Sequence, residues 1–136
     1  MPAPINLTAQ DLVASAMSNI RQIDSDQLRA FQSAGAPVID VREPSEYATG
    51  HVPGAVNIPR GVLEFEVDGH PAVNCLQDPA LAHRDQPVVI YCRSGGRSAL
   101  AAEALQRLGF SEPLSLAGGF NGWAAAGRDV IDGGSP

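Results

Sequence analysis

Residues Val88 to Ser98 read Val-Val-Ile-Tyr-Cys-Arg-Ser-Gly-Gly-Arg-Ser, and the candidate chemistry is concentrated there. A thiol, Cys92, stands between an apolar run and a glycine pair, with Arg93 and Arg97 close by. Ser94, Gly95 and Gly96 permit a tight turn, because glycine enters positive φ without a steric penalty. From Arg97 a helical pattern begins, with Leu100, Ala101, Ala104, Leu105 and Leu108 on one face and Glu103, Gln106 and Arg107 on the other. The cysteine is thus predicted at the carboxyl end of a strand, just before a helix N-terminus. Free amides and the positive end of the helix dipole favour an anion there. The same field favours thiolate over thiol, and the thiolate is the nucleophile. An inert buried cysteine would need neither the arginines nor the glycines.

Elements to hold that loop can be read on either side of it. Val88 to Tyr91, preceded by Pro87, has the unbroken apolar character of a strand buried on both faces. Pro37 to Val41 reads as the first clear strand, and Ala55 to Ile58 and Pro113 to Leu116 as two more. Between them, Pro44 to Tyr47 fits a short helix with proline in its first turn. Phe120 and Trp123 belong to a last helix. Ser25 or Asp26 caps a helix holding Leu28 and Phe31 and ended by Gly35, and Gly109 ends the helix that follows the loop. Residues 59–67 suit either one helical turn or extended chain. Residues 68–86 read as loop, with a helical turn allowed at 79–82. Strands alternating with helices predict an α/β fold, an open and mostly parallel sheet covered on both faces.

Composition narrows the function classes. The chain has 136 residues, a single-domain length, with net charge −6, so there is no basic footprint for nucleic acid or acidic lipid. No apolar run approaches a membrane span, and no signal peptide is evident. Two cysteines, Cys75 and Cys92, make no disulfide framework. A free thiolate suits the cytoplasm. Residues 1–24 are expected to form an extension with one amphipathic helix. Thr8 and Asp11 mark its start, and Leu12, Val13, Ala16, Met17 and Ile20 form a stripe that packs on the core or at a homodimer contact. Residues 128–136 are glycine-rich and expected to be a flexible tail.

Three separated stretches resemble the rhodanese-like sulfurtransferases. They are Val38 to Glu43 continuing through Glu46-Tyr47 to Gly50-His51-Val52-Pro53-Gly54-Ala55; the Cys92 loop; and Leu116 to Phe120 followed by Trp123. The resemblance covers roughly residues 25–127. It implies a rhodanese-like sheet of five parallel strands with helices on both sides. It also implies a reaction in which Cys92 takes sulfane sulfur from a small anionic donor such as thiosulfate and holds it as a persulfide. A thiol or cyanide acceptor then removes the sulfur, with no metal or organic cofactor. By the same resemblance Arg93 holds the donor's sulfonate, since members that use thiosulfate carry arginine there. Ser94, Gly95, Gly96 and Ser98 belong to the substrate cradle, and Arg97 contacts either the anion or a carboxylate beneath the loop. Asp40, Arg42, Glu46 and His51 are expected to brace the structure, the first two through a pair with a residue such as Glu46. The alternative to an enzyme is a sulfur-carrier module loaded by a partner protein.

Loop length separates this chemistry from a neighbouring one. Tyrosine-phosphatase-type sites separate cysteine and arginine by five residues, whereas four lie between Cys92 and Arg97. The smaller ring suits a sulfur atom and crowds phosphate. Elsewhere, His70 and His83 lack the spacing of a metal site. Cys75 is either an incidental thiol or a resolving partner for Cys92. Arg60 and Glu64 fall at the site's rim or at a subunit contact.

Overall fold

The computed structural model describes residues 6–70 and 84–133. Cys75, His83 and the helical turn expected at 79–82 lie outside the described residues. Five parallel strands, β1 (Arg21–Ile23), β2 (Val38–Asp40), β3 (Val56–Asn57), β4 (Pro87–Tyr91) and β5 (Glu112–Leu116), form one sheet in the order β1-β5-β4-β2-β3. Helices α1 (Ala9–Asn19), α2 (Ser25–Ser33), α3 (Pro44–Thr49), α4 (Leu63–Val67), α5 (Gly96–Arg107) and α6 (Gly119–Ala125) surround it.

The central strand, β4, is the one expected to be buried, and side-chain alternation divides its residues between two cores. Val88 and Ile90 pack with Ile39, Leu63, Val67, Ala101, Ala102 and Leu105 on the face covered by α4 and α5. Val89 and Tyr91 pack with Leu28, Leu114, Leu116 and Trp123 on the face of α2 and α6. Cys92 continues the alternation on the α5 side. From β2 the chain goes on to β3, and from β4 to β5 on the opposite side. The carboxyl ends of these two neighbours therefore flank a topological switch point, where open α/β sheets leave a crevice.

The structure adds to and corrects the sequence expectations in several places. Among the described residues β1 is an edge strand paired to β5, within the stretch expected to be an extension. Its Arg21 and Gln22 are exposed, so no apolar alternation advertises it. The α2 cap is Asp24, not Ser25 or Asp26: its carboxylate accepts from Gln27 N, and Gln27 Oε1 accepts from Asp24 N. Residues 59–67 form a 3-10 turn (Arg60–Val62) and α4, with Leu63 and Val67 buried and Phe65 exposed. There Arg60 and Glu64 pair with each other at 2.9 Å. The described part of the expected flexible tail is tied down. His51 and Ile131 exchange main-chain hydrogen bonds (2.9 and 3.0 Å), Asp129 O accepts from Trp123 Nε1, and Arg128 pairs with Asp26.

The capping box expected at Thr8 and Asp11 starts α1, whose stripe lies against α5. Ala16 is buried there, while Leu12 at the stripe's edge is half exposed.

Asp40 and Arg42, expected to reach Glu46, instead pair with each other. Arg42 Nη2 lies 2.7 Å from Asp40 Oδ2, and Nε lies 3.0 Å from Oδ1. Two residues apart at a strand end, the side chains leave on the same side, so the guanidinium folds back on its neighbour. Arg42 also donates to Gly50 O and stacks 4.5 Å from the Phe120 ring centroid. Both residues are buried. Removing one partner of such a pair strands a charge in the interior. Asp40→Asn is therefore expected to lower unfolding free energy by about 3 kcal/mol, measured by denaturant titration.

Candidate active site

Cys92 ends β4, and two features bend the chain behind it into a closed loop. Gly95 takes φ +122°, a region closed to most side chains, and α5 begins at the next residue. On the other side, α6 takes hold of the loop's first carbonyls. Phe120 N donates to Cys92 O at 2.8 Å, and Asn121 N donates to Arg93 O at 3.0 Å. In a trans peptide the N–H opposes the C=O, so the amides of Arg93 and Ser94 face away from α6. Gly119 makes the close approach feasible. A Cβ there would stand 2.6 Å from both Cys92 O and Arg93 O.

The sulfur sits beneath this loop. Cys92 is 1% exposed, while Arg93 and Ser94 are exposed above it. Gly95 N donates to Cys92 Sγ at 3.0 Å. The sequence predicts several amides around the sulfur; among the described contacts, this is the one that closes on it. Ser98 lies below, its Oγ 3.5 Å from Sγ, 3.1 Å from Gly95 O and 2.8 Å from Ser115 Oγ. Ser98 therefore braces the loop from inside, and Ser115 on β5 joins it. Gly96 contributes backbone only, as the first residue of α5.

The two arginines meet one carboxylate. Glu46, on α3, receives Arg97 in a fork, Nη1 to Oε1 at 2.8 Å and Nη2 to Oε2 at 3.1 Å. Of the two alternatives for Arg97, the structure has the carboxylate. Arg93 Nη2 stands farther off, 3.6 Å from Glu46 Oε2, with its side chain 63% exposed. The Arg97 hydrogen bonds, foremost, hold the Glu46 carboxyl down at about 2, with the Glu43 amide and both arginine charges adding to them against the opposing effect of burial. Thus Glu46 serves the loop and leaves Arg42 to Asp40. His51 stays in the turn after α3, stacked on Tyr47 with centroids 3.7 Å apart and its Nδ1 3.0 Å from Tyr47 O.

The sequence reading missed Gly119, Asn121 and Ser115 as parts of this site. A glycine pair ahead of a short helix hints at close packing, but its target lies 27 positions earlier in the chain (119 − 92).

Two outcomes follow from this geometry. Gly119→Ala, strained at φ +57° and driven against two carbonyls, is expected to displace the loop. Stability should fall by about 1–2 kcal/mol, and iodoacetamide labelling of Cys92 should change in rate while the circular dichroism of the sheet is retained. Glu46, with its folded pKa depressed, adds stability that is fully present above the ordinary carboxylate range and is lost as pH falls through about 2. The gap in melting temperature between wild type and Glu46→Gln should accordingly narrow on acidification from about pH 4.5 to pH 2.

Known proteins share both the sequence and the architecture. The family model described as the rhodanese-like domain matches residues 24–126. A protein of Stutzerimonas stutzeri named thiosulfate sulfurtransferase GlpE is 34% identical over 107 residues, which is 79% of this chain and 87% of that protein. Among solved structures, one from Rhodopseudomonas palustris, described as a protein of unknown function and "possible tyrosine phosphatase", superposes with TM-score 0.77. It is 30% identical and covers 96% of this chain and 99% of its own. The human single-domain sulfurtransferase TSTD1 superposes at 0.64 with 29% identity, over 76% of this chain and 95% of its own. Sheet order, the glycine-bent cysteine loop and these matches agree: the chain belongs to the rhodanese-like domain family.

Proposed function

We propose that the protein is a sulfurtransferase that carries sulfane sulfur on Cys92, taking it from thiosulfate or a similar small anion. One observation carries the reading most directly. The Cys92 sulfur, at the end of the central strand, accepts the Gly95 amide at 3.0 Å inside a loop of six residues, Cys92 to Arg97. A main-chain donor aimed at Sγ stabilises the thiolate without any proton transfer, and the N-terminal field of α5 favours the negative charge when it moves to the outer sulfur of a persulfide.

In the first step the thiolate attacks the outer sulfur of thiosulfate. A new S–S bond forms at Cys92, the donor's own S–S bond breaks, and sulfite leaves with that electron pair. In the second step a thiolate or cyanide attacks the terminal sulfur, and the Cys92 thiolate departs as the leaving group. The scheme closes on itself with residues of this chain alone. Arg93, exposed at the loop's outer edge, holds the sulfonate oxygens; Ser94, Gly95 and Gly96 shape the cradle, with Ser98 beneath it. Near-complete burial of the sulfur favours a small donor. Residues 25–127 carry this activity, and the reducing cytoplasm keeps the thiol free for it.

Thiosulfate:cyanide turnover tests the proposal. Wild type should show saturable activity, Cys92→Ser none, and intact-mass measurement after thiosulfate treatment one added sulfur on wild type only. Arg93→Ala should raise KM for thiosulfate roughly tenfold, the scale of one charge-assisted hydrogen bond, while leaving the melting temperature near wild type. A readily formed persulfide with negligible turnover would instead identify a carrier module. Hydrolysis of an aryl phosphate without persulfide formation would favour phosphatase chemistry.

A further inference from the structure

We propose that Glu46 decides which anions the Cys92 loop accepts: it withholds Arg97 from oxyanions and yields Arg93 to the sulfonate of a sulfur donor. The part concerning the donor rests on the sulfurtransferase reading; the exclusion of other oxyanions does not.

The argument starts from unequal contacts to one carboxylate. Arg97 presents both terminal nitrogens to Glu46, at 2.8 and 3.1 Å, in the forked arrangement that gives arginine–carboxylate pairs their strength. Glu46 is itself fixed from behind, since Glu43 N donates to Oε1 at 3.0 Å. Its side chain is 19% exposed, and Arg97's is 38% exposed. Arg93 differs on every count: one nitrogen, 3.6 Å, and a side chain 63% exposed. A pair of that kind contributes little and exchanges readily. Of the two cations at the loop, one is fixed and the other is available.

The consequence for ligands follows from charge and geometry. A sulfonate gains Arg93 by replacing a long, solvated contact, and no forked pair breaks. The second cation that inorganic phosphate or a phosphate monoester could recruit at this loop is Arg97, which would have to leave Glu46. It would also meet the ionised Glu46 carboxylate at short range, and like charges repel. Ring size and charge therefore discriminate in the same direction. Glu46 weakens thiosulfate binding somewhat as well, so its removal should help every anion, and oxyanions that need Arg97 most.

Protection of Cys92 from iodoacetamide provides the readout, with the label located by peptide mass. Inorganic phosphate, sulfate and thiosulfate are titrated against wild type, Glu46→Gln and Glu46→Asp. Each protein's labelling rate without added anion is its own reference, and a circular dichroism spectrum matching wild type reports an intact fold. Phosphate and sulfate should protect Glu46→Gln at concentrations at least roughly threefold lower than wild type, and its KM for thiosulfate should fall about three- to fivefold, the range for one partly exposed charge. Glu46→Asp keeps the charge at shorter reach and should fall between the two. It serves as the test variant if the glutamine substitution fails to fold. Equal protection constants across the three proteins would overturn the proposal. So would a thiosulfate KM that rises in Glu46→Gln with protection unchanged, which would make Glu46 a positioning residue for the arginines. If wild type fails to turn over thiosulfate, the sulfurtransferase reading falls, yet phosphate and sulfate protection still decides the role of Glu46.

Discussion

Two main-chain hydrogen bonds, from Phe120 and Asn121 to the carbonyls of Cys92 and Arg93, fix the geometry on which the rest of the site is built. They join the end of the central strand to the last helix, so the loop is suspended between α6 on one face and α5 on the other. Both donors belong to the first turn of α6, where amides have no partner within the helix. The loop carbonyls satisfy them, and the helix end and the loop stabilise each other. Gly119 is the residue that permits the contact, because nothing larger fits between the two backbones.

Charge at the carboxyl edge of the sheet is organised in two separate pairs. Asp40 and Arg42 are buried, hydrogen-bonded to each other and capped by Phe120 and the Gly50 carbonyl. Their task is to hold the end of β2 and the turn after α3, next to the loop but not in it. Glu46 and Arg97 are part-exposed and join α3 to α5 across the crevice. The buried pair resists rearrangement, since separating it would leave an uncompensated charge in the interior. The outer pair, with Arg93 at its edge, is where an anion can compete.

What the sequence makes legible is local. The β4 run, the glycine turn after Cys92, the α5 stripe and its Gly109 stop, and the proline-led α3 all depend on neighbours within a few positions. Each emerges in the structure close to where its pattern predicts. Features that depend on distant partners are less legible. β1 has two exposed polar residues out of three, and it joins the sheet through backbone pairing with β5, a distant partner in sequence. The partner of Glu46 lies 51 positions away, and spacing alone points equally to Arg42. The cap expected at Ser25 or Asp26 falls instead on Asp24, because the reciprocal bond with Gln27 forms there. The glycine-rich composition after residue 127 conceals an antiparallel bridge to His51, because main-chain pairing leaves no side-chain signature.

Strand parity decides which helix attends the sulfur. Cys92 shares a face with Val88 and Ile90, which brings Sγ toward the start of α5, where the Gly95 amide meets it. Lengthening or shortening β4 by a single residue would turn the thiol to the opposite layer, toward the aromatic packing of Tyr91 and Phe120 and the guanidinium of Arg42. The reactive atom's surroundings are thus fixed by counting along a pleat, well before any loop closes over it.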